Sequence, residues 1–109
     1  MPQEYMVGNI QAGGVMTATS AAAAALTTNS VSCRGVFIQN RLWNVAGVTN
    51  VVGVSIGFWD VTLTPAAFAP CVNLLPGEDC WMPINNAKKI WVRAAGTATS
   101  APVGWIAFG

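Results

Sequence analysis

The residues of this chain that could do chemistry are few, and their spacing does not form a catalytic arrangement. The sequence contains no histidine, which removes the commonest general base and the commonest metal ligand. Glu78 and Asp79 are adjacent, so on a strand their side chains point to opposite faces and cannot act as a carboxylate pair. Asp60 ends an apolar stretch, where a turn or rim role is ordinary, and segment 9–14 contains glycines without the lysine of a phosphate-binding loop. We therefore expect no enzyme, no cofactor and no metal site.

The three cysteines also lack an arrangement that predicts a site. Cys33, Cys71 and Cys80 have neither the paired spacing of a zinc site nor the even number of a disulfide framework. If Pro76 and Gly77 centre a hairpin turn, Cys71 and Cys80 are diagonal neighbours about 7–8 Å apart, at or beyond the usual limit for a disulfide. We favour free, buried cysteines that act as small apolar side chains. A bridge between Cys71 and Cys80 stays open.

Charged residues are scarce in a chain of this length. The 109 residues are 53% hydrophobic and 8% charged, against about 25% charged in an ordinary soluble domain. Five basic and four acidic side chains cannot cover a free-standing domain, so either small polar residues face water or another protein covers the surface. The net charge of +1 does not provide the basic stripe of a nucleic-acid-binding protein. We therefore expect no nucleic-acid partner.

The high apolar content does not predict a membrane protein. A membrane-spanning helix needs about 20 mainly apolar residues, whereas the longest candidate, 45–61, is interrupted by Thr49, Asn50, Ser55 and three glycines. The five alanines of 21–25 follow no basic stretch of the kind that precedes a signal-peptide core. We therefore expect a soluble, unprocessed chain with no membrane partner.

The N-terminal residues differ in composition from the rest of the chain. They carry one charge, at Glu4, and run into a Thr/Ser/Ala-rich tract from Thr17 to Ser32. Five consecutive alanines are far short of the ~12–15 residues that an isolated helix needs, so a helical turn and an extended segment both remain open. We divide the chain into an N-terminal arm, residues 1–26, and a β-sandwich domain, residues 27–109. Deletion of residues 1–20 is expected to weaken association with the particle or between subunits while the domain stays folded.

From Cys33 onward, apolar residues recur with the period of two that is typical of β-strands. Turn signals separate the short strand patterns every 8–12 residues, and Leu75-Pro76-Gly77-Glu78 has proline and glycine where a type II turn prefers them. The pattern predicts an all-β fold, a small antiparallel β-sandwich of six to eight strands that is jelly-roll-like or barrel-like. Phe58 continues the inward-facing pattern of Val54 and Ile56. The predicted core contains Val36, Ile38, Val54, Ile56, Ile90 and Val92.

Five tryptophans in so short a chain indicate aromatic anchors, in the core or at an interface. Trp91 alternates with Ile90 and Val92, so we expect its ring to face outward beside Arg93. Exposed tryptophans also serve carbohydrate binding, but a protein–protein interface fits the low charge better. The predicted interface residues are Tyr5, Met6, Ile10, Trp59, Trp91 and Arg93.

Several segments together resemble a known class of protein. They are Ser32–Gln39, Val54–Gly57, Leu74–Asp79 and Ala87–Ala94, and the resemblance spans Leu26 to Gly109. The chain is similar to small β-sandwich virion structural proteins of tailed bacteriophages. Such proteins are found as decoration (cement) proteins on capsids, as bases of head fibres, and at tail or neck positions.

The resemblance implies a structural role on a virus particle and no catalytic residues. We expect a capsid decoration protein on the exterior of the phage head, with the major capsid protein or another virion protein as its partner. A homo-oligomer is expected, with a trimer favoured. A tail, neck or fibre component is the alternative within this class, and a carbohydrate-binding module is the alternative from another class.

Overall fold

The computed structural model describes residues 9–44, 46–60 and 67–109, with the side chains of 59–60 and 67–69 excepted. Tyr5, Met6 and the side chain of Trp59, three of the predicted interface positions, lie outside this part of the chain. The described residues form eight strands and one 3₁₀ turn, which confirms the predicted all-β fold. The strands are β1 (Ile10–Thr19), β2 (Ala24–Ala25), β3 (Gly35–Asn40), β4 (Val54–Asp60), β5 (Ala67–Leu74), β6 (Asp79–Met82), β7 (Ile90–Ala94) and β8 (Ser100–Phe108), and the 3₁₀ turn (Ala87–Lys89) precedes β7.

The strands form two four-stranded antiparallel sheets. Sheet I has the order β1-β8-β3-β6, and sheet II has the order β2-β7-β4-β5. Strands that are far apart in the chain are therefore neighbours in both sheets, with β1 beside β8 and β2 beside β7. This is the strand order of an eight-stranded jelly roll, the double-sheet arrangement of two Greek keys. The predicted antiparallel β-sandwich is confirmed, in its jelly-roll form.

The core lies between the inner faces of the two sheets, where period-two alternation directs the apolar side chains. All six predicted core residues are buried, and β8 adds Val103 and Trp105 from the same inner face of sheet I. Phe58 lies opposite the buried Ile90 in the β4–β7 ladder, yet its side chain is 37% exposed. It borders a surface groove at this end of sheet II, which leaves one side of the ring uncovered.

Residues 10–26 belong to the sandwich, which corrects the domain boundary drawn after residue 26. Strand β1 pairs with β8 along its length, from Ile10 opposite Phe108 to Thr19 opposite Ser100. Its inward side chain Ala18 is fully buried, and β2 adds a short edge to sheet II beside β7. An edge strand is held by backbone hydrogen bonds to its neighbour. Side-chain composition does not record those bonds, so this segment looks like a separate arm in the sequence.

The predicted turn at Pro76-Gly77 is present, but the predicted hairpin is not. Glu78 N donates to Leu75 O over 2.9 Å, and Gly77 has a φ of +87°, as a type II turn requires. The flanking strands β5 and β6 nevertheless lie in different sheets. The turn therefore crosses from sheet II to sheet I, and the diagonal pairing expected for the two nearby cysteines does not arise.

A buried asparagine network joins the sheets where this crossing occurs. Asn40, at the end of β3, is fully buried. Its Nδ2 donates to Val52 O over 2.9 Å and to Leu74 O over 3.0 Å, and its Oδ1 accepts from Asn50 Nδ2 over 2.7 Å. Asn50 Nδ2 also donates to Arg41 O. A polar side chain is therefore kept in the core because each of its groups has a partner.

Candidate functional site

The outer face of sheet I carries an apolar row that crosses all four strands. Gly13, Ile106, Phe37 and Trp81 lie directly opposite one another on β1, β8, β3 and β6. Their neighbours along the strands point into the core, so this row points to solvent. Trp81, on the edge strand β6, is 38% exposed. We call this surface the aromatic face, and it comprises Val15, Phe37, Trp81 and Ile106, with the buried Phe108 packed against Trp81.

Trp81 is held on the aromatic face by two contacts. Its indole lies so close to Gly35, in the neighbouring strand, that a Cβ at this position would collide with the ring. Its ring centroid is 5.9 Å from that of Phe108, with the planes tilted by 48°, within the range of favourable aromatic pairs. Because position 35 has no side chain, the indole packs directly on the backbone of β3. Together with Phe108, this contact fixes the orientation of the ring.

A second candidate site is a groove of about 1020 Å³ at one end of sheet II. Its lining includes the aromatic residues Phe58 and Trp91, the cations Lys88 and Lys89, and Asn86. We call this site the Trp91 groove and define it by these five residues. Both lysines belong to the 3₁₀ turn that precedes β7.

The predicted interface residues within the described part of the chain do not come together as one site. Trp91 is half-buried on the outer face of sheet II, as its alternation with buried Ile90 and Val92 predicts. Arg93 shares that outer face, and its Nε donates to Ser20 O over 3.0 Å. Ile10 is exposed at the start of β1 in sheet I. Trp91 and Arg93 are thus separated from Ile10 by the thickness of the sandwich.

The aromatic face was missed by the sequence analysis, although part of its signal is present. Phe37 lies between the inward Val36 and Ile38, so alternation alone places its ring outside. The joining of Phe37 to Ile106 and Trp81 depends on the register of β3 with β8 and β6. That register connects residues far apart in the chain, and no local pattern contains it.

The metal-ligating and thiol groups of the described residues were the remaining candidates for a site. No group of three or more metal-ligating side chains is found in this part of the chain. Burial raises the pKa of the Cys33 and Cys80 thiols, which keeps them protonated and weakly nucleophilic. All three cysteines are free, as expected, but Cys71 is exposed and Cys33 and Cys80 are half-buried, so the expectation of fully buried cysteines is wrong. It lies at a bulge where β5 has one residue more than β4.

This difference in exposure predicts a selective alkylation. Treated with iodoacetamide at about pH 8, the native protein is expected to label Cys71 about 10-fold faster than Cys33 or Cys80, because exposure and thiolate content control the rate. Peptide mass spectrometry of timed samples measures the three rates. In urea the rates should converge. Equal rates in the native protein would contradict the burial of Cys33 and Cys80.

Comparison with protein-family models, with curated proteins and with solved structures finds no match for this chain. Within the described residues, no helix is long and apolar enough to cross a membrane. What can be inferred about function therefore comes from the fold and from the two surfaces. They define an eight-stranded jelly-roll domain with an aromatic face on one sheet and a cationic, aromatic groove at an end of the other.

Proposed function

We propose that this protein is a non-enzymatic structural protein that binds another protein through its aromatic face. In line with the sequence resemblance, we propose a capsid decoration protein on the exterior of a phage head, with the major capsid protein as its partner. The jelly-roll order of the two sheets supports this proposal, because viral capsid domains use the same architecture. One fold serves many functions, so the aromatic face is the observation on which the proposal rests.

The composition and rigidity of the aromatic face suit a protein partner. Tryptophan is enriched among the residues that contribute most to binding free energy, and Trp81 is already held in place by Gly35 and Phe108. A ring that is ordered before binding loses little conformational entropy on binding. The one charged residue in the four strands of this sheet, Asp79, lies in the neighbouring row, opposite Gln39 on β3. An apolar centre with a polar rim is the usual anatomy of an interface.

A tail, neck or fibre component would use the same face and is the alternative position on the particle. A carbohydrate-binding module would use the Trp91 groove instead. The polar groups of Asn86 in that groove are already engaged, since its Oδ1 accepts from Val31 N and Lys88 N and its Nδ2 donates to Ser30 Oγ. Sugar hydroxyl groups need polar partners beside the ring, and those of Asn86 are occupied. A carbohydrate in the Trp91 groove is therefore less well supported than a protein partner on the aromatic face.

The proposal predicts that Trp81→Ala weakens particle binding while the domain stays folded. Truncating a central interface tryptophan costs about 2 kcal/mol or more, which is about a 30-fold rise in Kd. Co-sedimentation with heads assembled from the major capsid protein encoded in the same genome measures the change. Salt should alter the Kd little, because apolar burial is the main contribution.

Trp43→Ala is the matched control, since it removes a second exposed tryptophan, 52% accessible, from the loop between β3 and β4. This variant should bind heads like the parent. Circular dichroism melts of both variants show whether either change unfolds the domain. Parent-like binding by a folded Trp81→Ala variant, or failure of the parent to bind heads, would contradict the proposed function.

A further inference from the structure

The turn between β5 and β6 forms an exposed projection that combines an apolar side chain with two acids. We call residues 75–79 the acidic turn. The side chain of Leu75 is 65% exposed, and Glu78 and Asp79, at the other end of the turn, are both exposed. One oxygen of Glu78 accepts from Leu75 N over 2.6 Å, which adds a second hydrogen bond across the turn. The projection is therefore ordered before it meets any partner.

The Trp91 groove has the opposite character. Lys88 and Lys89, the only lysines of the sequence, line it together with the aromatic residues Phe58 and Trp91. Lys89 Nζ donates to Asn85 Oδ1 over 3.0 Å, which holds that ammonium group near the rim. A volume of about 1020 Å³ is at the upper end of pockets that hold drug-sized ligands. The groove therefore admits a leucine side chain and the short turn that carries it.

The acidic turn and the Trp91 groove lie at opposite ends of the sandwich. Leu74, just before the turn, is opposite Val54 at the start of β4, whereas Phe58, in the groove, is four residues further along β4 and opposite Ile90. Four residues of strand span about 13 Å. One copy cannot fold its own turn into its own groove, but two copies stacked end to end bring the two surfaces together.

We infer that the acidic turn of one copy docks into the Trp91 groove of a second copy of this chain. Leu75 packs against Trp91, and the carboxylate of Glu78 lies against the ammonium groups of Lys88 and Lys89. An acidic residue of the turn thus meets both lysines of the chain in this contact. The contact joins two different surfaces, so it is heterologous and builds a ring or an open chain of copies. It leaves the aromatic face free, and it does not depend on what that face binds.

Sedimentation equilibrium of the full chain at low salt tests the inference. The parent is expected to self-associate, and the single variants Lys88→Glu and Glu78→Lys are each expected to raise the Kd about 10-fold. An equimolar mixture of the two variants should recover association, because the native turn of one meets the native groove of the other. About 1 M NaCl, which shortens the screening length to about 3 Å, should also weaken parent association.

Arg34→Glu is the matched control, because it makes the same change in net charge at an exposed residue outside the groove lining. It should associate like the parent. Trp81→Ala should self-associate like the parent but lose binding to phage heads. The two measurements therefore test this inference and the proposed function separately. A parent that stays monomeric would overturn the inference. Parent-like association of both charge variants would also overturn it, because association would then not depend on this contact.

Discussion

Removing residues 1–19 is expected to unfold the protein rather than release a dispensable arm. Residues 10–19 form β1, which pairs with β8 along its length, and Ala18 is fully buried between the sheets. Ala12 and Met16 pack against the same core. Each backbone hydrogen bond contributes about 0.5–1.5 kcal/mol, so a lost strand removes free energy comparable with the whole stability of a domain, about 5–15 kcal/mol.

Far-UV circular dichroism and a thermal melt measure this outcome. The truncated chain should lack a cooperative transition, while a chain that lacks only residues 1–8 keeps every paired residue of β1 and is the matched control. The comparison separates the loss of β1 from the loss of the residues before it. A cooperative melt of the chain without residues 1–19, at the temperature of the parent, would show that β1 contributes nothing to the fold.

The second large effect is expected for Asn40→Asp. The substitution replaces the Nδ2 group, which donates to Val52 O and Leu74 O, with a carboxylate oxygen that faces the same two carbonyl groups. Two buried acceptors then lose their donor, at a cost of about 1–3 kcal/mol each, and burial of an unpaired carboxylate adds a further penalty. We expect the free energy of unfolding to fall by about 4 kcal/mol or more.

Urea denaturation followed by tryptophan fluorescence gives this change directly. Asn85→Asp is the matched control, because it makes the same chemical change at an exposed residue whose Oδ1 accepts from Lys89 Nζ. A carboxylate keeps that hydrogen bond, so the control should lose less than about 0.5 kcal/mol. Equal stabilities of the two variants would show that the Asn40 network does not hold the two sheets together.

Much of the local structure could be predicted from the sequence, because it depends on neighbours within one strand or turn. Alternation placed Val36, Ile38 and Ile56 in the core and Trp91 outside it, and all four are found there. The proline and glycine of the turn after β5 specified its backbone conformation. The sparse charge indicated either a surface of small polar residues or one that another protein covers, and the second explanation remains a prediction.

The tertiary structure alone decided which strands are neighbours. The 75–78 turn has the same local geometry in a hairpin and in a crossing between sheets, so its sequence could not place β5 and β6 in different sheets. The register of β8 between β1 and β3 likewise joins residues almost a whole chain apart. It makes β1 part of the fold and assembles the aromatic face around Trp81. Such pairings depend on how the two sheets pack over a shared core, and a local pattern of residues contains no information about that packing.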